Sequence, residues 1–278
     1  MNALLTSQDH NSHDMGMTYV YPVVSRRARG VSVGINLNPN NACNWRCIYC
    51  QVPNLTRGAA PEIDLAQLEE ELRGMLNAIV RGNFMQERVP EHSRSFEGIA
   101  FSGNGESTAS AEFGAAVDIV ERVLREFNLL NSLSVRLITN GSFIDRVTDA
   151  LRHLSQINGE VWFKLDAATA QGIARINDVH LNPQGVLERL QLCTRTCPTW
   201  VQTCMFALDG EPPSEAELTA WLDMLAQVKN EIRGVHLYGL ARPSLQPEAP
   251  RLSRLAQSWL EDLAQRVERM GVHVQVSA

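Results

Sequence analysis

Three cysteines stand close together in this chain, Cys43, Cys47 and Cys50, in the run Cys43-Asn44-Trp45-Arg46-Cys47-Ile48-Tyr49-Cys50. The spacing is C-x3-C-x2-C. Cysteine sulfur ties the irons of iron–sulfur clusters, and three thiolates this close can hold three irons of one cubane. The fourth iron then lacks a protein ligand and is open to a substrate or cofactor. The competing chemistry is structural zinc held by three cysteines and a distant histidine. No fourth ligand stands at zinc-finger spacing, and His10 and His13 are isolated residues near the N-terminus. Three further cysteines, Cys193, Cys197 and Cys204, do not suit a second cluster. Val186, Leu190, Cys193 and Cys197 fall on one helical stripe, as core residues do. Cys204 lies most of a strand away from them.

The elements that must carry the cysteines follow from periodicity. Apolar strand and amphipathic helix alternate from about residue 31 onward. Strands are expected over 31–38, 98–102, 134–139, 161–166, 200–206 and 234–240, with a closing strand over 272–276. Asp64 with Gln67, and Ser214 with Glu217, have the capping-box spacing. Asn182 followed by Pro183 is a cap with a first-turn proline. Helices are expected from these caps, over 113–124 and 145–157, and in a last helix bearing Leu252, Leu255, Trp259, Leu263, Val267 and Met270. Repeated βα units with short joins give a parallel sheet. Six such units fall short of the eight of a closed barrel, so the fold class is α/β, a partial (β/α)6 TIM-type barrel. Residues 1–20 are expected to be a disordered tail, and 21–278 one domain. Residues 83–95 read as a polar insertion, a lid or a passive surface loop.

Ligands of such sheets sit at the carboxyl ends of the strands. The cysteine loop, residues 103–106, Asn140, Asp166 and Arg242 all fall just after expected strand ends. Their convergence on one face is the main geometric argument for a site. Lys164 is one of only two lysines in the chain and lies within a strand between apolar residues. Facing inward, it would serve as a nucleophile or proton acceptor; facing the polar side, it would pair with a carboxylate. Asn140-Gly141 is a turn signal in its own right.

The chain has 278 residues, 44% hydrophobic and 20% charged, and a formal net charge of −6. An overall basic footprint for nucleic acid is absent, although Arg26, Arg27 and Arg29 make a local basic stretch. No apolar run approaches the ~20 residues that span a bilayer, and the first eighteen residues lack the pattern of a signal peptide. Six cysteines in such a chain argue for thiolate chemistry in the cytoplasm rather than disulfides.

The cysteine loop after a first barrel strand resembles the signature of the radical S-adenosylmethionine (radical SAM) superfamily, with Tyr49 at the aromatic position before the third cysteine. Residues Ser102, Gly103, Asn104, Gly105 and Glu106 are similar to that family's glycine-rich, Glu-ending motif. Ser25-Arg26-Arg27, Gly34-Ile35-Asn36-Leu37, Thr139-Asn140-Gly141-Ser142, Leu165-Asp166-Ala167 and Ala241-Arg242-Pro243 further resemble the wyosine-synthase-like, tRNA-modifying branch. Two departures stand out: Glu106-Ser107-Thr108 replaces Glu-Pro-Thr, and no cysteine precedes Cys43 to hold a second cluster.

The resemblance implies a [4Fe-4S] cluster on the three cysteines and S-adenosylmethionine (SAM) as cofactor. It implies reductive cleavage to a 5′-deoxyadenosyl radical that abstracts hydrogen from a substrate, and a one-electron donor such as flavodoxin or ferredoxin. Glu106 would accept from the SAM ammonium. Asp166 would bind ribose or the amino group, Asn140 would bind ribose, and Arg242 would pair with a carboxylate or an anionic substrate. Gln202 is a pocket candidate. The bland alternatives are that Asp166 caps the next helix and that Arg242 braces a loop. The substrate is a tRNA base, or a small molecule or peptide. Activation of a glycyl-radical partner would bring ferredoxin-like cysteine runs, which are missing.

Overall fold

The computed structural model describes residues 4, 5, 16–25 and 30–277. Its main sheet has eight strands: β1 (Val20–Ser25), β2 (Gly30–Ile35), β3 (Phe96–Phe101), β4 (Ser134–Thr139), β5 (Gly159–Lys164), β6 (Thr199–Cys204), β7 (Gly234–Tyr238) and β8 (Val274–Ser277). They lie side by side in chain order. Every pairing is parallel except β1 with β2. The helices are α1 (Leu65–Val80), α2 (Phe113–Glu126), α3 (Thr148–Gln156), α4 (Ala170–Asn177), α5 (Pro183–Thr196), α6 (Glu215–Val228) and α7 (Gln257–Glu268). The sheet curls without closing, a partial barrel.

Alternation along each strand divides the residues between two environments. Val33, Ile35, Ile99, Phe101, Val135, Leu137, Val161, Phe163, Val201 and Val235 are fully buried and join the helices in one core. The alternate set, including Arg136, Trp162, Lys164, Gln202 and His236, lies in register on the other face. Low in the barrel His236 stacks on Trp200, centroids 4.5 Å apart, with Trp162 4.3 Å away on a tilt. Glu160 accepts from both indole N–H groups, at 3.0 and 3.1 Å, and pairs with Arg136. This aromatic and ionic plug fills the barrel floor and leaves the upper part open.

All three expected caps form, but Asp64 makes only half a box, because Gln67 Nε2 turns to Thr18 Oγ1 and Glu71 Oε1 and the Asp64 N–H donates to Tyr19 Oη. Asp64 accepts from Gln67 N at 3.0 Å, Asn182 accepts from Gln184 N, and Ser214 and Glu217 make a reciprocal box. Such caps are each worth about 1 kcal/mol.

Several expectations are corrected. The sheet gains β1, ahead of the expected first strand; Pro22 inside it is tolerated because β1 is an edge. The packed chain resumes before residue 20: Tyr19 is buried, and the Thr18 and Tyr19 backbone N–H groups donate to Glu71. Residues 1–3, 6–15 and 26–29, with His10, His13, Arg26, Arg27 and Arg29, lie outside the described residues. Leu252 belongs to a two-residue ribbon rather than to α7. The 83–95 insertion contains a helical turn (Phe84–Arg88) whose Phe84 is buried, as is Val89 just beyond it. The helix α4 is an addition.

Candidate functional site

The cysteine loop begins where β2 ends, and asparagine side chains shape it. Asn36 Oδ1 accepts from the backbone N–H of Asn38 at 3.0 Å and of Asn104 at 3.1 Å. One side chain thus joins the start of the cysteine loop to the glycine-rich turn after β3. Asn38 Nδ2 donates to the Ala42 carbonyl, and Asn104 Nδ2 to Asn41 Oδ1. The two loops meet at backbone distance, which is what the glycines permit. A Cβ on Gly103 would lie 2.3 Å from Asn36 Oδ1, and one on Gly105 would lie 2.2 Å from the Ala42 carbonyl oxygen.

The loop's far side is clamped by residues after β7. Ser244 Oγ donates to the Ile48 carbonyl at 2.8 Å and to the Cys50 carbonyl at 3.2 Å. Gln246 Nε2 donates to the Cys50 and Val52 carbonyls. Arg46 reaches Asp178 through Nε and Glu248 through both terminal nitrogens. Ile48 is seated in a small apolar cluster with Cys204, Phe206 and Leu240. Burying such a side chain contributes roughly 1.5–3 kcal/mol. Neither Ser244, Gln246, Asp178 nor Glu248 carries a local sequence signal; only the tertiary fold brings them to the loop.

Burial disfavours free thiolates here. It pushes the Cys43 thiol up to about 11 and Cys47 to about 12, and it raises Cys50. A bound metal centre reverses this by replacing the protons with positive charge. All three cysteines border one cavity of about 210 Å³ together with Gly103, Gly105 and Glu106. Among the described residues, no group of three or more His, Cys, Asp or Glu closes on a single metal ion. A sulfur donor set spread along a cavity wall fits a polynuclear iron–sulfur cluster.

Glu106 caps the short turn Ser107–Ala109 and is 3% exposed. Its Oε1 accepts from Thr108 Oγ1 and Thr139 Oγ1, both at 2.6 Å, and its Oε2 from Asn140 N at 2.6 Å. Burial raises its carboxyl above the usual range, against the pull of these donors. Glu106 therefore knits the ends of β3 and β4 while bordering the cavity. Asn140 Nδ2 donates to Asn44 Oδ1 at 2.9 Å, and its Oδ1 accepts from Ser142 N. The Asn140 turn and the cysteine loop are thereby tied together.

Asp166 is held by protein donors on both of its oxygens. Its side chain is fully buried. Oδ2 accepts from Tyr49 Oη and Asn177 Nδ2, each at 2.8 Å, and pairs with Lys164 Nζ at 3.2 Å. Oδ1 accepts from Cys204 N at 3.1 Å. Four protein donors saturate the carboxylate, whose work is to position Tyr49 and Asn177.

Of the two expectations for Lys164, the structure shows the carboxylate pairing, on a side chain that also lines the cysteine cavity. Its Nζ donates to Tyr49 Oη and sits 4.5 Å from the centre of that ring. Burial works against its charge, yet the neighbouring Asp166 prevails and holds the ammonium well above its ordinary range.

A second cavity, of about 390 Å³, lies in the barrel lumen. It shares Tyr49, Cys50, Val52, Gly103, Ile138 and Tyr238 with the cysteine cavity, so the two are contiguous. Ser102 and Arg242 line the larger space; Lys164, Asn104, Asn140 and Gln202 line the smaller. Among the described residues, Arg136 and Arg242 are the charged side chains that line the lumen cavity, and Arg136 is already paired with Glu160. Tyr21, on the edge strand missed from sequence, covers Gly34 and pairs with Ser102 Oγ at 3.0 Å. Cys193 and Cys197 are buried low in the fold, Cys193 accepting from Thr199 Oγ1 at 3.3 Å. Cys204, at the end of β6, borders the lumen.

Solved structures share this fold. Streptococcus suis SuiB matches 87% of this chain and 47% of its own at 12% identity, TM-score 0.57. A radical SAM methyltransferase from Sphaerobacter thermophilus matches 89% of this chain and 66% of its own at 16% identity, TM-score 0.59. SuiB bound to S-adenosylmethionine matches 88% of this chain and 45% of its own at 12% identity, TM-score 0.53. These likenesses are likenesses of fold. The chain spans between about half and two thirds of those structures. A curated relative, the GTPase Obg of Brachyspira hyodysenteriae, is 25% identical over 142 residues, which are 51% of this chain and 18% of that protein. So small a share carries no activity across. No helix among the described residues is long and apolar enough to cross a membrane. The family model described as "Radical SAM superfamily" matches residues 37–222, from the cysteine loop to α6. With three thiols on one cavity at the mouth of a partial barrel, that match settles the family: the chain belongs to the radical SAM superfamily of enzymes, and with it to iron–sulfur and SAM chemistry.

Proposed function

We propose that this protein is a radical SAM enzyme of the cytoplasm acting on a substrate held in the barrel lumen. Cys43, Cys47 and Cys50 would hold a [4Fe-4S] cluster, with SAM beside the glycine-rich turn. When bound, the pair supplies a 5′-deoxyadenosyl radical on receipt of one electron, from a donor such as flavodoxin or ferredoxin.

The observation that carries this reading is the continuity of the two cavities. The cysteine cavity opens directly on a lumen space of about 390 Å³. Tyr49 and Tyr238 border both, and Trp162, packed with His236 and Trp200 below it, lines the lumen from the floor side.

A nucleotide of tRNA is one such substrate. The residues similar to the wyosine-synthase-like branch support it, and the lumen is large enough for one base but not for a folded RNA. A small molecule or a peptide is the alternative.

The test is anaerobic reconstitution with iron and sulfide, then dithionite and SAM. 5′-Deoxyadenosine and methionine are expected. Their absence from protein carrying a full complement of iron would overturn the reading. Copurifying RNA that survives high salt separates the tRNA substrate from a small one, and deuterium transferred from the true substrate into 5′-deoxyadenosine identifies it.

A further inference from the structure

One side-chain amide reaches a cysteine sulfur from outside the cysteine loop. Asn177 is the last residue of α4 and is 2% exposed. Its Nδ2 lies 3.3 Å from Cys47 Sγ and 2.8 Å from Asp166 Oδ2. An amide nitrogen carries two hydrogens, and these two acceptors use both. The saturated carboxylate of Asp166 therefore fixes which way the second hydrogen points.

The backbone strengthens the hold. The Asn177 carbonyl accepts from Arg46 N at 3.2 Å, and the Ile176 carbonyl from Ile48 N at 2.9 Å. The residues on either side of Cys47 are thus hydrogen-bonded to the end of one helix. Asp178 follows in the left-handed region, φ 51°, and its carboxylate meets Arg46 Nε at 2.8 Å.

We infer that Asn177 is a positioning residue that raises the reduction potential of the cluster by donating an N–H to the Cys47 sulfur. The inference rests on the proposed cluster. Reduction adds negative charge to a cluster, and a hydrogen bond to a ligating sulfur stabilises the more negative state. Cys43 receives its contact from the Trp45 backbone, 3.5 Å away, which no substitution removes cleanly. The Cys47 contact comes from a side chain and can be deleted.

The experiment compares wild type, Asn177→Ala and Asn177→Leu after anaerobic reconstitution. Iron and sulfide are counted, the midpoint potential is titrated by electron paramagnetic resonance, and exchangeable-proton couplings of the reduced cluster are recorded. The expected result is wild-type iron content and loss of one exchangeable-proton coupling. The one-electron equilibrium should shift roughly tenfold against reduction, about 59 mV more negative. An unchanged potential in a variant with full iron content overturns the inference. So does failure of both variants to assemble a cluster, which would make Asn177 an assembly residue. A wild type that holds a cluster but does not cleave SAM overturns the proposed activity alone; a wild type that takes up no iron overturns both.

Discussion

Arg46 forks onto both carboxylate oxygens of Glu248, at 2.9 and 2.8 Å, across 202 positions of sequence. The same guanidinium holds Asp178. The residue before the second cysteine is therefore tied both to the end of α4 and to the segment after β7. The pair is part-exposed, with side-chain accessibilities of 28% and 19%. Glu248→Ala should cost about 1 kcal/mol of stability, a small loss globally. Its larger effect should be local: the variant should lose iron to a chelator several-fold faster than wild type. Thermal melts and the time course of bleaching under chelator measure the two effects.

The same pair predicts an acid dependence. Hydrogen bonds from Arg46 hold the Glu248 carboxyl below its usual range. A carboxylate whose folded value is depressed contributes stability above its unfolded value, about 4.3 for Glu. That contribution fades as pH falls through the lower folded value. In the apoprotein, the difference in melting temperature between wild type and Glu248→Gln should be constant from pH 8 to 6 and shrink below about pH 4. A difference that grows on acidification would contradict the assignment.

Lys164 and Asp166 form a buried pair, and removing one partner strands the other. Lys164→Met should cost about 3–5 kcal/mol, as for broken buried ion pairs. The double variant Lys164→Met with Asp166→Asn should recover part of that loss. Urea denaturation of the apoproteins gives both numbers. A neutral effect of the single change would mean that the carboxylate is satisfied without the ammonium.

Gly105 tests the close approach of the two loops. Its missing Cβ would lie 2.2 Å from a backbone oxygen of the cysteine loop and 2.6 Å from Asn38 Cγ. Gly105→Ala should destabilise the protein by about 1–3 kcal/mol and reduce reconstituted iron. Gly74, exposed in α1 with open space around it, is the control. Gly74→Ala should leave iron content unchanged and stabilise slightly, by roughly 0.5–1 kcal/mol. Denaturant titration and iron assay separate the two variants.

What could be read from the sequence follows distance along the chain. The cysteine spacing, the glycine-rich turn and the capped helices are local patterns, and they sit where periodicity puts them. The strand β1 escaped because Pro22 speaks against a strand and only its edge position permits it. The helix α4 escaped because its eight residues include Gly172 and offer a single fully buried apolar anchor, Ile173. With α4 went Asn177 and Asp178. Glu248, Ser244 and Gln246 touch the cysteine loop from about 200 positions away, and no spacing rule announces such a contact. Asp166 and Lys164 were visible as residues of interest, but their mutual pairing depends on side-chain direction in three dimensions.

Among the described residues the sheet has eight strands, and β1 and β8 are each paired on one side only. A sealed barrel admits guests only through its two ends. An unsealed one also has a seam along its flank. A long polymer can lie across that seam and send a single residue inward while the rest stays in solvent.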